Sequence, residues 1–505
     1  MSQKLLKEDF ISNLNGTSLL EISIGLTLAP LCLLSRGLLL ILYFLHNGRP
    51  LGSRSTHFFL DFSVLVVPPV LCCTVLAPIL PWVILCIAAF CAGLVYKIYC
   101  RRTTYVKVPF WQILSDFLRA SLEPEYVPSL TVFRVYVNVL TSISILAVDF
   151  PQYPRRYAKT ETYGTGVMDF GVGAFVFGNA VVCPEVRLKG GEVQSKFFYL
   201  ARQFFAVWPL FLLGFGRLMS VKVAEYHEHT SEYGVHWNFF FTLAVVRMAA
   251  SLLLSLFPVR KAWIVATTLA VVYECFLAFT PLKMFILHGS DGRGSRAGFL
   301  DANREGVFSV IGYLAIYMAS VQVGLYLLKK KRGSVREWVG VIHSFLLAIL
   351  VLFLFLHAVQ TYVETISRRM ANLPFCVWVV AHGLSLLSCF LVSDLVLVFA
   401  KFLVDGASVP CSWNFVQLSA TNKKHDLELR DGQTIPQSVC MVSAVNKNQL
   451  LYFLLANILT GLVNMMVDTI HSNTVLAMFV LHVYMLTNCL VMYILQAKNV
   501  ILKWW

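Results

Sequence analysis

A chain of 505 residues that is 58% hydrophobic and only 13% charged, with a mean hydropathy of +0.70, lacks the polar surface that a soluble protein of this size needs. It reads as an integral membrane protein. The formal net charge of +14 comes from Lys and Arg scattered between apolar runs. That pattern argues against a nucleic-acid face and fits loops held against anionic headgroups or a phosphorylated substrate.

The N-terminus, MSQKLLKEDFISNLNGTS, is polar and leads straight into an apolar segment too long for a signal-peptide core. Asn15-Gly16-Thr17 is a glycosylation acceptor sequence, usable only if this end is lumenal and clear of the membrane. At about 20 apolar residues per helix, about thirteen spans follow. They fall near 19–46, 58–78, 80–99, 132–149, 165–183, 199–220, 235–257, 262–281, 306–328, 337–357, 373–401, 449–470 and 473–497. Only Pro78 and Pro81 divide the second from the third. The fold class is therefore all-α, a single polytopic membrane domain without internal repeats. Residues 407–448 form its one long polar connection, expected to be a flexible cytosolic loop.

An odd number of spans puts the termini on opposite sides. The loops on the N-terminal side carry about half as many Lys and Arg as those on the other. The C-terminus is thus expected in the cytosol and the N-terminus in the lumen. Of the 13 cysteines, Cys72, Cys73, Cys86, Cys91, Cys275, Cys376 and Cys389 lie inside apolar runs. They read as small core residues rather than metal ligands.

The most informative stretch joins the fourth and fifth spans: AVDFPQYPRRYAKTETYGTGVMDFGVGAFVF, residues 147–177. Pro151 and Pro154 deny helix to their neighbours, and Gly164, Gly166, Gly171 and Gly173 permit close backbone packing. Asp149 closes an apolar run, so its carboxylate sits near membrane depth, where ionisable groups are costly and usually functional. The plainer reading is a juxtamembrane loop whose basic residues snorkel.

Three more polar clusters share that side. They are Glu232 to Asn238 before the seventh span, Asp301 to Glu305 before the ninth, and Ser367 to Asn372 before the eleventh. Helix starts offer unpaired N–H groups and the positive dipole end, and guanidinium forks suit phosphate. Arg155, Arg156, Arg304, Arg368 and Arg369 are therefore candidates for a phosphoinositide headgroup, with Asp169, His236, Asn238 and Asn303 beside them. Ordinary headgroup anchoring explains any one of the arginines equally well. His236, next to Trp237, is a conceivable general base but more commonly a hydrogen-bonded structural residue. His227 and His229 have metal-like spacing but no third ligand nearby. There is no G-x-S-x-G elbow, Walker loop, H-E-x-x-H or dinucleotide fingerprint. Gly292 and Gly294 in SDGRGSRAG make only a weak phosphate cradle.

The segments FPQYPRR, AKTETYGTG, MDFGVGAFVF, EYGVHWNFFFT, LDANREG and SRRMANLPFCVW resemble the PIG-W family. These are the inositol acyltransferases of glycosylphosphatidylinositol (GPI) anchor synthesis. The resemblance runs from SNLNGTS near the N-terminus to NMMVDTIHS near the C-terminus, and it departs at Asp301, where the family pattern has Asn. It implies about thirteen spans in the endoplasmic reticulum membrane and acyl-CoA, typically palmitoyl-CoA, as co-substrate. It further implies glucosaminyl-phosphatidylinositol as acceptor, with membrane lipids as surroundings and no permanently bound cofactor. The family's catalytic pair, an Asp at the end of the fourth span and a Lys ten residues on, matches Asp149 and Lys159. Acyl transfer from a thioester to an alcohol needs a general base and a group facing the developing oxyanion, and a carboxylate and an ammonium suit those roles.

Two rival classes fit the sequence less well. A secondary transporter accounts for the spans and Gly and Pro interruptions, but not for charge gathered at one face instead of mid-span. A histidine-dependent membrane acyltransferase would use His236 or His382. A non-catalytic scaffold of a biosynthetic complex is the third alternative.

Overall fold

In the computed structural model, residues 14–123, 127–187, 196–223, 230–328, 332–416 and 440–502 are described. The chain is an all-α, multi-pass membrane protein with thirteen helical spans among those residues. They are α1 (Leu19–Asn47), α2 (Arg54–Cys72), α3 (Ala77–Cys100), α4 (Pro128–Ala147) and α5 (Val167–Arg187). Next come α6 (Phe198–Met219), α7 (Phe239–Leu256), α8 (Val259–Phe279) and α9 (Arg304–Leu328). The last four are α10 (Val335–Tyr362), α11 (Leu373–Phe402), α12 (Gln449–Met466) and α13 (Thr474–Ala497).

α4, α9 and α11 are the most enclosed spans, whereas α3 and α10 turn most of their apolar surface outward, as lipid-facing helices do. Small residues let the central helices approach. A Cβ on Gly173 of α5 would lie 2.5 Å from Val379 of α11, so only glycine fits there. The bundle also encloses an ion pair. Arg36 of α1 and Asp61 of α2 are both fully buried and meet at 2.8 Å. Arg36 also donates to the Pro410 carbonyl, and Asp61 accepts from the Met441 N–H.

Hydrogen bonds between loops sort the connections into two faces. On the N-terminal face, the Thr17 N–H donates to the Thr165 carbonyl at 2.6 Å, and the Gly164 N–H donates to Ile366 at 2.9 Å. Ser367 donates to the Thr162 carbonyl at 2.6 Å, and Gln152 to that of Ser472 at 3.2 Å. On the opposite face, Leu122 donates to Gly333 at 2.7 Å and Glu123 to Asn414 at 3.1 Å. The parity of thirteen spans and the loop contacts therefore agree.

The expected long loop 407–448 falls largely on 417–439, outside the described residues. Its ends pack against the bundle, with Trp413 and Cys440 buried and a short helix at Met441–Lys447. His227 and His229 also lie outside the described residues.

Candidate active site

Helix α4 stops at Ala147, and Asp149 falls in the turn beyond it, where its own N–H donates to the Leu146 carbonyl at 3.2 Å. The two prolines force the loop out of helical geometry, and Arg155 then pins it. Its guanidinium donates to the carbonyls of Phe150 at 2.9 Å and Tyr153 at 2.9 and 3.1 Å. Half-buried Asp149 accepts a hydrogen bond from Asn464 Nδ2 of α12 at 2.7 Å.

Lys159 belongs to a different set of charges. Its Nζ donates to Glu232 Oε2 at 2.7 Å. The other oxygen of Glu232 accepts from Arg368 Nη1 at 3.3 Å. Arg368 Nε in turn donates to Asp169 Oδ1 at 2.7 Å. Asp169, wholly buried in the first turn of α5, accepts through Oδ2 from Gly166 N at 2.9 Å, Thr160 Oγ1 at 2.9 Å and Thr160 N at 3.1 Å. Gly166 is required by proximity, because a Cβ there would fall 2.1 Å from the Ala158 carbonyl oxygen. The result is a ladder of alternating charge, Lys159–Glu232–Arg368–Asp169, drawn from four places in the chain.

The ladder fixes protonation states. Burial pushes the Glu232 carboxyl up, but the Lys159 ammonium and the Arg368 guanidinium outweigh it and hold it at about 2. Burial likewise lowers Arg368, and the Glu232 and Asp169 carboxylates more than reverse that, raising it above its ordinary value. Glu232 and Arg368 are therefore charged at neutral pH.

The remaining candidates have structural partners. Arg156 donates to Glu21 at 2.8 Å, and Tyr157 adds a bond to the same carboxylate at 2.6 Å; Arg156 keeps 41% of its side chain exposed. Arg304 is buried and donates to the carbonyls of Ile286, Ser295 and Asp301 and to the Asp301 carboxylate. Asp301 also holds Ser290, so the residue that departs from the family pattern serves to close its own loop. Arg369 donates to the Leu287 carbonyl and to Glu305. Asn238 caps α7 through the N–H groups of Phe240 and Phe241. Asn303 Oδ1 accepts from the His236 N–H at 2.8 Å, and the His236 side chain is exposed. His382 is fully buried in α11, 3.1 Å from the Ser23 hydroxyl and 3.2 Å from the Trp378 carbonyl.

The acceptor sequence at Asn15 is part of the same assembly. Gly16, at φ +80°, bridges to Thr165, and the Thr17 hydroxyl bonds Glu21. Asn15 itself is exposed. A cavity of about 500 Å³ between α1, α3 and α11, lined by residues such as Leu31, Cys91, Tyr99 and Phe399, touches none of these groups.

The resemblance to the PIG-W family paired Asp149 with Lys159. The structure supplies the partners it missed, Asn464 and Glu232. Asn464 carried one signal, an amide near the end of an apolar span on the same side as Asp149. Glu232 stood inside a cluster from which only His236 and Asn238 were taken.

A family model described as GWT1 matches residues 3–495. The chain is 50% identical over 511 residues to the glucosaminyl-phosphatidylinositol-acyltransferase PIGW of Bos taurus. It is 50% identical over 506 residues to that of Mus musculus and over 507 residues to that of Homo sapiens. Each alignment covers 100% of both chains. With a family match that runs from the polar N-terminus to the end of α13, the chain belongs to the GWT1 family.

Proposed function

We propose that this protein transfers a fatty acyl group, palmitoyl foremost, from acyl-CoA to the inositol 2-hydroxyl of glucosaminyl-phosphatidylinositol during GPI-anchor biosynthesis. The observation that carries this reading is half-identity over the whole length to three proteins named as glucosaminyl-phosphatidylinositol acyltransferases. The reaction takes place in the endoplasmic reticulum membrane, with the N-terminus lumenal and the C-terminus cytosolic. Acyl-CoA is a co-substrate, and the chemistry below needs no resident cofactor.

Asp149 acts as general base and takes the proton of the attacking hydroxyl. The oxygen adds to the thioester carbonyl, and the Lys159 ammonium faces the negative charge that develops there. Collapse breaks the C–S bond, and the proton held by Asp149 passes to the leaving coenzyme A thiolate. No acyl-enzyme forms. Asn464 gives Asp149 a fixed donor, and Arg155 keeps the turn in shape. Among the residues expected at the headgroup, Arg156 and His236 are the exposed ones, so recognition of phosphate and sugar is assigned to them first. Asp169, Asn238, Asn303, Arg304, Arg368 and Arg369 shape the loops around them.

The test is reconstitution of purified protein with acyl-CoA and glucosaminyl-phosphatidylinositol. Asp149→Asn keeps size and removes the proton acceptor, so turnover should fall roughly 10²–10⁴-fold with both substrates still bound. Near-normal turnover by well-folded Asp149→Asn would remove the base assignment and make His236 the next candidate.

A further inference from the structure

We propose that Glu232 is the positioning residue of this site: it holds the Lys159 ammonium in place and, through Arg368, ties it to Asp169 at the start of α5. The inference rests on Lys159 being the group that faces the oxyanion, and goes beyond it by naming what fixes that group.

The geometry carries the argument. A lysine on a loop has four rotatable bonds, and its ammonium is useful at a reacting centre only if something else restricts it. Lys159 keeps 37% of its side chain exposed, so packing does not restrict it, whereas its bond to Glu232 at 2.7 Å does. Glu232 is itself only 13% exposed and Arg368 4%, and Asp169 is fully enclosed. Rigidity thus rises step by step from the flexible cation toward the helix. Glu232 uses one oxygen for each cation, which sets the angle of its carboxylate and, with it, where the Lys159 Nζ can stand.

The charged and titratable groups around the ladder come from every neighbouring element. Arg217 of α6 acts on Glu232, Tyr233 follows it directly in the chain, and Tyr313 of α9 stands close enough to Arg368, Glu232 and Asp169 to feel all three. Arg217 is also held by Asn457 of α12, at 3.2 Å. Carboxylates and guanidinium groups nearly balance here, so the removal of one carboxylate leaves a net positive field on Lys159.

A structural role and a positioning role predict different results. In Glu232→Gln, the amide retains a hydrogen bond but not the charge, and Arg368 keeps Asp169. Turnover near neutral pH should fall about 10- to 100-fold with little change in KM for either substrate, as expected when a catalytic group is misplaced. Glu232→Asp, which restores the charge on a shorter arm, should recover part of the lost kcat.

The experiment measures kcat and KM for the full-length enzyme and for Glu232→Gln, Glu232→Asp and Lys159→Met, with thermal unfolding of each in the same detergent. Loss of kcat at unchanged KM and unchanged stability, partly recovered in Glu232→Asp, supports positioning. A kcat in Glu232→Gln that is kept, or that falls only with the folded fraction, overturns it. Lys159→Met separates the two levels. If it abolishes turnover while Glu232→Gln behaves as wild type, positioning fails and the reading of Lys159 stands. If Lys159→Met keeps full turnover, both fail together.

Discussion

Replacing Asp169 with Asn tests the ladder where it is most enclosed. The two carboxylate oxygens have separate duties: Oδ1 faces Arg368 Nε at 2.7 Å, and Oδ2 faces Gly166 N and Thr160 Oγ1, each at 2.9 Å. An asparagine has one oxygen and one NH₂. If the oxygen stays with Arg368, the NH₂ points at two backbone N–H groups that cannot turn away, and only the Thr160 hydroxyl can reverse its role. If the amide flips, its NH₂ meets the guanidinium. Each buried donor left without an acceptor costs about 1–3 kcal/mol, and a buried cation losing its closest partner costs about 3–5 kcal/mol. Arg368 still has Glu232 at 3.3 Å, which places the total near the lower end, about 3–4 kcal/mol. Thermal unfolding in detergent, followed by intrinsic tryptophan fluorescence, should show a clear loss of stability, and acyl transfer should fall with it. An unfolding transition at the wild-type temperature with wild-type turnover would refute the claim that this carboxylate joins α5 to the loops.

Asp61→Asn leaves Arg36 as a fully buried cation with a weakened partner and should destabilise the protein by about 3–5 kcal/mol. The double change Arg36→Met with Asp61→Leu removes both charges and should recover most of that loss in the same unfolding assay. For topology, a tag after Trp505 should be reached by antibody in cells permeabilised only at the plasma membrane, and a tag before Met1 should not. The reverse labelling would invert the orientation.

The thirteen spans were legible because each needs a long apolar run, and hydropathy records such runs directly. Their edges were less so. Pro78 and Pro81 read as the break between α2 and α3, but both fall inside the first turns of α3, which begins at Ala77. A proline is tolerated at a helix start because the N–H it lacks would be unpaired there anyway. The break itself is the turn at 73–76. Asp149 was placed at the end of the fourth span, and the structure moves it into the turn beyond Ala147, where Asn464 of α12 reaches it.

The partners of the charged residues were not legible. A sequence displays a charge but not what neutralises it, and Lys159 meets Glu232 73 residues away, while Asn464 reaches Asp149 across 315. The arginines show the same limit. Five of them at loop–helix junctions suggested a surface prepared for phosphate. Arg155 and Arg304 instead turn to backbone carbonyls, and Arg369 adds Glu305. Guanidinium groups have five donors, and loops packed tightly near a membrane offer carbonyls that water cannot reach.

The contacts that join the N-terminal face also set when the site can exist during synthesis. The loop after α4 leaves the ribosome early, yet its lysine waits for Glu232, its inner carboxylate for Arg368, and its proposed base for Asn464. Membrane insertion of α1 to α5 therefore produces the reactive residues without their arrangement. On the proposed mechanism, a chain that stops between α5 and the end of α12 carries Asp149 and Lys159 but should be inert, and activity should appear only when nearly all of the protein has entered the bilayer.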